Sequence, residues 1–116
     1  MSEIAVRPEA AESSYVISVD GVDAGDAQYA DVDRTRVFLH TTITPEFEGQ
    51  GLASQLVAAA LTDARAQGMR VVAVCPYVRT WLERHHDFDD IVDPMTQDVR
   101  DRLPQPPAPP SPPANG

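Results

Sequence analysis

Residues 36–75 leave the chain few options. A run rich in β-branched residues, Arg36 to Thr44, is stopped by Pro45. A helical pattern then occupies Leu52 to Gln67, with Leu52, Leu56, Val57, Ala60, Leu61 and Ala64 on one apolar stripe and Ser54, Thr62 and Arg65 opposite. Gly68 is suited to close that helix. Val71-Val72-Ala73-Val74-Cys75 follows as a continuously apolar run, the signature of a strand covered on both faces. Strand, helix and strand in roughly 30 residues make a βαβ crossover, which forces the two strands parallel and the connection right-handed.

The chain before this unit reads as an antiparallel meander. Ile4 to Arg7 is a short strand ended by Pro8, and Tyr15 to Val19 is a second. Asp20-Gly21 is a two-residue hairpin signal, and Val22 to Ala30 returns, with Gly25 and Asp26 marking a bulge. Alternation along strand 36–44 puts Val37, Leu39, Thr41 and Ile43 on one face and Phe38, His40 and Thr42 on the other. Pro76 opens a second helix whose broad face carries Val78, Trp81, Leu82 and His85; Phe88, Ile91 and Val92 tuck back after it. The expected organisation is one mixed α/β domain over 1–93, a polar linker over 94–102 and a disordered, proline-rich tail over 103–116.

A chain of 116 residues holds one core. No apolar run is long enough to span a bilayer, no signal segment opens the chain, and the single cysteine forms no internal disulfide, so a cytoplasmic protein is expected. A net charge of −9 argues against direct nucleic-acid binding or attachment to an anionic membrane. All the cationic side chains are arginine; lysine is missing from the sequence.

Between the first strand of the crossover and its helix lies Glu48-Gly49-Gln50-Gly51-Leu52-Ala53. No Ser, Thr, Asp or Asn directly precedes Leu52, so the first helical N–H groups lack a side-chain cap. Glycines there admit close approach of a ligand, and the helix dipole favours negative charge at that end. The turn is therefore a candidate phosphate cradle. It emerges at the carboxyl ends of the parallel strands, Thr42–Thr44 and Cys75–Tyr77, where sheets of this kind bind ligands.

Ile43-Thr44-Pro45-Glu46-Phe47-Glu48-Gly49-Gln50-Gly51-Leu52-Ala53 resembles the acetyl-CoA-binding motif of the GNAT N-acetyltransferase superfamily. With His40-Thr41-Thr42 and Cys75-Pro76-Tyr77-Val78-Arg79, the sequence is similar to the short, single-domain N-acetyltransferase-like subfamily over residues 4–93. The resemblance implies that Ile43 offers main-chain groups to the pantetheine arm of coenzyme A. Glu48, Gly49, Gln50, Gly51, Leu52 and Ala53 would wrap the pyrophosphate, mostly through backbone N–H groups. Two departures stand out: Glu48 replaces the Arg or Gln common in the superfamily, and Leu82 falls where a tyrosine general acid is usual.

Acetyl transfer needs a free amine, a polarised thioester carbonyl and a proton for the leaving thiolate. Cys75, at the end of a parallel strand, would take the acetyl group or act as an acid; its other reading is a small core residue. His40 would serve as a base for the amine, or is a hydrogen-bonded sheet histidine. Tyr77 would replace the missing acid, or packs as an ordinary tyrosine. Arg79 would reach the coenzyme A phosphates, or is simply solvated. Adjacent histidines point apart on a helix, so His85, His86, Asp87, Asp89 and Asp90 are not read as a metal site.

The sequence is thus read as an acetyl-CoA-dependent N-acetyltransferase acting on an amine, with an open acceptor site suited to a protein or peptide amine. A monomer or weak homodimer is expected. The alternatives are a non-catalytic sensor or partner-binding module that holds coenzyme A or an acyl-CoA, and an unrelated nucleotide-binding fold.

Overall fold

The computed structural model describes residues 3–103; the expected tail beyond 103 lies outside the described residues. Five strands form one sheet in sequence order: β1 (Ile4–Glu9), β2 (Ser14–Val19), β3 (Val22–Val32), β4 (Thr35–Ile43) and β5 (Arg70–Ala73). The first four are antiparallel, and β4 and β5 run parallel. Helix α1 (Leu52–Ala66) makes the crossover between them, followed by α2 (Pro76–Arg84) and a short α3 (Gln97–Arg102). The mixed α/β architecture expected from the sequence is the one observed.

Each element has a local cause. Asp20 and Gly21 both adopt positive φ (51° and 84°), so the β2–β3 turn matches the twist of its strands. The whole predicted stripe of α1 is buried against the sheet with Tyr15, Ile17, Phe38 and Val71. Pro76 takes the first turn of α2, which buries Val78 and Trp81 against the same core. Ser54, placed by periodicity on the outer side of α1, instead accepts a hydrogen bond from Trp81 Nε1 at 2.9 Å and ties α1 to α2.

Two expectations shift. Pro8 does not end β1: it pairs with Tyr15, because β1 is an edge strand and an edge tolerates a residue without an N–H. Residues 94–102, expected to be a polar linker, contain α3, whose N-cap Thr96 accepts a hydrogen bond from Val99 N at 3.2 Å. Met95, Val99 and Leu103 pack on the sheet face opposite α1, against a small cluster of Val32, Val37 and Val72. Arg102 pairs with Asp33 at 2.6 Å, fixing α3 to the β3–β4 turn. The 91–93 segment extends the sheet past β5: Val71 N donates to Ile91 O and Asp93 N to Val71 O, both at 2.8 Å.

Candidate active site

The site begins with a bulge. Gln28 pairs with His40 and Tyr29 with Phe38, leaving Leu39 as an extra residue in β4. The bulge reverses the alternation: Leu39 joins the α3-side cluster, yet Ile43 packs against the α1-side core. The single-face assignment of Val37, Leu39, Thr41 and Ile43 therefore fails at this point. At the same place β4 and β5 part. Their pairing runs from Thr35–Arg70 to Phe38–Ala73, and the Phe38 carbonyl then accepts both Val74 N and Cys75 N at 2.9 Å. Beyond it, His40 to Ile43 keep β3 as a partner but lose β5, so one strand edge faces a cleft.

A second bulge, at Ala24 in β3, seats the far end of that edge. Gly25 pairs with Ile43, and a Cβ on it would strike the Thr42 carbonyl and lie 2.6 Å from Ile43 Cδ1. Thr44 is held there as well, its N–H and hydroxyl both donating to Ala24 O at 2.8 and 3.2 Å.

The chain then makes a short helical turn at Pro45–Phe47 and enters the glycine segment. Gly49 and Gly51 have φ of 81° and 74°, a region that penalises side chains, and Gly51 is the N-cap of α1. Among the described residues, the N–H groups of Gly49, Gln50, Gly51, Leu52 and Ala53 donate no hydrogen bond. Nothing lies within 4 Å of a Cβ built on either glycine, so the space beside the main chain is open at both positions. A cavity of about 260 Å³ lies there, lined by Ile43, Phe47, Glu48, Gly49, Gly51, Leu52, Ala53 and Tyr77. Unpaired donors, a positive helix end and an open approach suit a pyrophosphate. The Glu48 carboxylate is the one wall group that opposes an anion.

The remaining candidates separate. Tyr77, about 40% exposed, reaches the cavity. Cys75 is buried at the N-terminus of α2, its thiol donating to Thr41 Oγ1 at 3.5 Å. Since Thr41 turns toward Cys75, alternation sends exposed His40 to the other face; the two residues are not brought together. Arg79 stands away from the glycine turn, on a groove between α2 and α3. His86 pairs with Asp89 at 3.0 Å and Arg65 pairs with Asp90; no group of three or more metal-ligating side chains is assembled among the described residues.

The family profile described as GCN5-related N-acetyl-transferase matches residues 14–91, which run from β2 through the bulged strand, the glycine turn and α2. The chain belongs to that family. It is similar to the solution structure of a GCN5-like protein from Staphylococcus aureus, with a TM-score of 0.62 and 23% identity over 84% of this chain and 95% of the other. That likeness concerns the fold. No curated protein matches the chain. No helix among the described residues is long and apolar enough to cross a membrane. Membership in the GCN5-related family supports an enzyme of the acyltransferase kind.

Reasoning from sequence missed three parts of the site. The Leu39 bulge and the buttress at Gly25 depend on which strands pair, which local pattern does not encode. The α3 groove had a signal: Met95, Val99 and Leu103 stand at successive i, i+4 positions, one helical stripe inside a segment that is otherwise polar.

Proposed function

We propose that the protein transfers the acetyl group of acetyl-CoA to a primary amine, working in a reducing, cytoplasmic setting. The observation that carries this reading is the set of five unpaired N–H groups from Gly49 to Ala53, opening on a cavity that Ile43 and Tyr77 share. When bound there, acetyl-CoA would supply an activated thioester carbonyl. The glycine turn holds the diphosphate through its main chain, and Ile43 offers its unpaired strand edge to the pantetheine. The parted ends of β4 and β5 receive the thioester.

Tyr77 is our candidate donor of the proton that the departing thiolate requires, because it lines the cavity and carries a phenol, whereas Leu82 has no proton to give. Cys75 is held in place by Thr41 at the base of the cleft, where a thiol can pass a proton or orient the acyl group. His40, exposed on the opposite face, is a candidate base for an amine arriving from that side.

Calorimetry with acetyl-CoA and detection of released thiol test the reading together. Gly51→Val should cost most of the cofactor affinity, since a β-branched residue at positive φ is strained by about 1–2 kcal/mol and distorts the turn. Tyr77→Phe should lower kcat by about 10²-fold with little effect on acetyl-CoA affinity. Binding without thiol release for any amine supports a non-catalytic coenzyme A sensor, the reading that Glu48 and Leu82 favour. No binding at all rejects both.

A further inference from the structure

A concavity larger than the one at the glycine turn lies elsewhere. A groove of about 890 Å³ lies between α2, the 92–95 segment and α3, starting at Ala73 and Val74, where β5 leaves β4. Six of its thirteen lining residues lie beyond 91, past the stretch that the family profile matches. The stretch that the family profile matches therefore supplies one side, and residues 92–103 build the other. Leu82, Val92 and Met95 give the groove an apolar floor.

The charges around it are unequally satisfied. Asp93 is bound by Arg70, and Asp89 by His86. Arg79, Arg100 and Glu83 also line the groove, and none of them has an ion-pair or side-chain hydrogen-bond partner among the described residues. Two unpaired guanidinium groups and one unpaired carboxylate thus face the groove, beside the paired carboxylates of Asp89 and Asp93, on a protein of net charge −9. A polyamine would meet two unpaired like charges there. A guanidinium fork fits a carboxylate in two-point contact, and a carboxylate accepts from an ammonium. The volume exceeds the needs of a single small amino acid and suits a short peptide.

We infer that this groove is the acceptor site, and that it takes a peptide whose free α-amine is followed by acidic side chains. The ammonium is met by Glu83 and the acidic side chains by Arg79 and Arg100. The inference rests on the acetyltransferase reading. After the ammonium has given one proton to solvent, the amine lone pair forms the N–C bond. The C–S bond breaks with its electron pair on sulfur, Tyr77 protonates the thiolate to free thiol, and a second nitrogen proton restores Tyr77.

The probes are the peptide Ala-Glu-Glu, its neutral counterpart Ala-Gln-Gln-amide, and spermidine. Two readouts apply: chemical-shift titration of the full chain without cofactor, and thiol release at saturating acetyl-CoA. Ala-Glu-Glu should bind at least about tenfold more tightly than the other two, shifting amide resonances of Leu82, Met95 and Val99, and should have the highest kcat/KM. Arg100→Gln should erase that preference while leaving acetyl-CoA affinity unchanged, and Arg100→Lys should restore part of it. Equal binding of the charged and neutral peptides, a preference for spermidine, or shifts confined to the glycine turn would overturn the inference. Failure to bind acetyl-CoA would instead overturn the reading beneath it, and peptide binding in the groove would still register in the titration.

Discussion

At the scale of single residues, the most connected side chain lies far from the cleft. Arg36 is buried at the start of β4, and its guanidinium donates to both Asp31 oxygens at 2.8 and 3.0 Å and to the Tyr15 hydroxyl. It also stacks over the Tyr29 ring at 4.2 Å. Tyr15 in turn donates to Asp63 of α1 at 2.5 Å, so one chain of contacts joins β2, β3, β4 and the crossover helix. Burial, and then the Asp63 carboxylate, push the Tyr15 phenol above its ordinary value. A proton held more tightly in the folded state contributes stability that is full below the unfolded pKa of about 10 and is lost as pH rises through the folded value. Tyr15→Phe should cost about 1–3 kcal/mol at pH 7, because Arg36 and Asp63 each lose a buried partner. It should also flatten the alkaline fall. Urea midpoints from pH 7 to 11 check both, and parallel curves for the two proteins would refute the assignment. Sequence placed Tyr15 in a strand but could not see this contact, whose partner stands 48 positions away.

At the scale of elements, the regular parts were legible and the irregular parts were not. Every apolar residue assigned to the α1 stripe is buried, because helical period is a local property. The bulge at Leu39 has no such local mark, and it decides which of Thr41 and His40 meets Cys75. Gly25 was read as marking a bulge, and one lies beside it at Ala24; what the local pattern did not show is that Thr42 and Ile43 lie over it. Gly25→Ala should destabilise the fold by about 1–3 kcal/mol through overpacking. By moving Ile43 it should also weaken acetyl-CoA binding. Thermal unfolding and calorimetry report the two losses separately; an unchanged affinity would separate the buttress from the site. The glycine turn was legible because its requirement is local: positive φ at Gly49 and Gly51, and an uncapped helix start.

At the scale of the whole molecule, charge and cofactor oppose each other. The protein carries −9, and the coenzyme A proposed to bind is a polyanion that neutral N–H groups beside Glu48 would hold, with no basic side chain among the cavity-lining residues. Long-range repulsion therefore slows the encounter, and added salt screens it. The association rate for acetyl-CoA should rise between about 0.01 and 0.15 M ionic strength, where the screening length falls from about 30 to 8 Å. Stopped-flow measurement decides the sign; a rate that falls would mean that a local cationic patch governs approach. Only the net charge was needed to foresee this, whereas the mixed-charge groove required the position of α3.

The parting of β4 from β5 carries a consequence for the backbone itself. Val37 and Phe38 are sealed between two neighbouring strands, but the peptide protons of His40–Ile43 that point away from β3 have no acceptor across the gap among the described residues. In heavy water those few positions should pick up deuterium almost as fast as a surface loop, within a strand whose other half stays protonated until the entire domain opens. The protein would then keep its reactive furrow perpetually wet at rest, and a cofactor filling it should first be noticed as a slowing of that isotopic uptake.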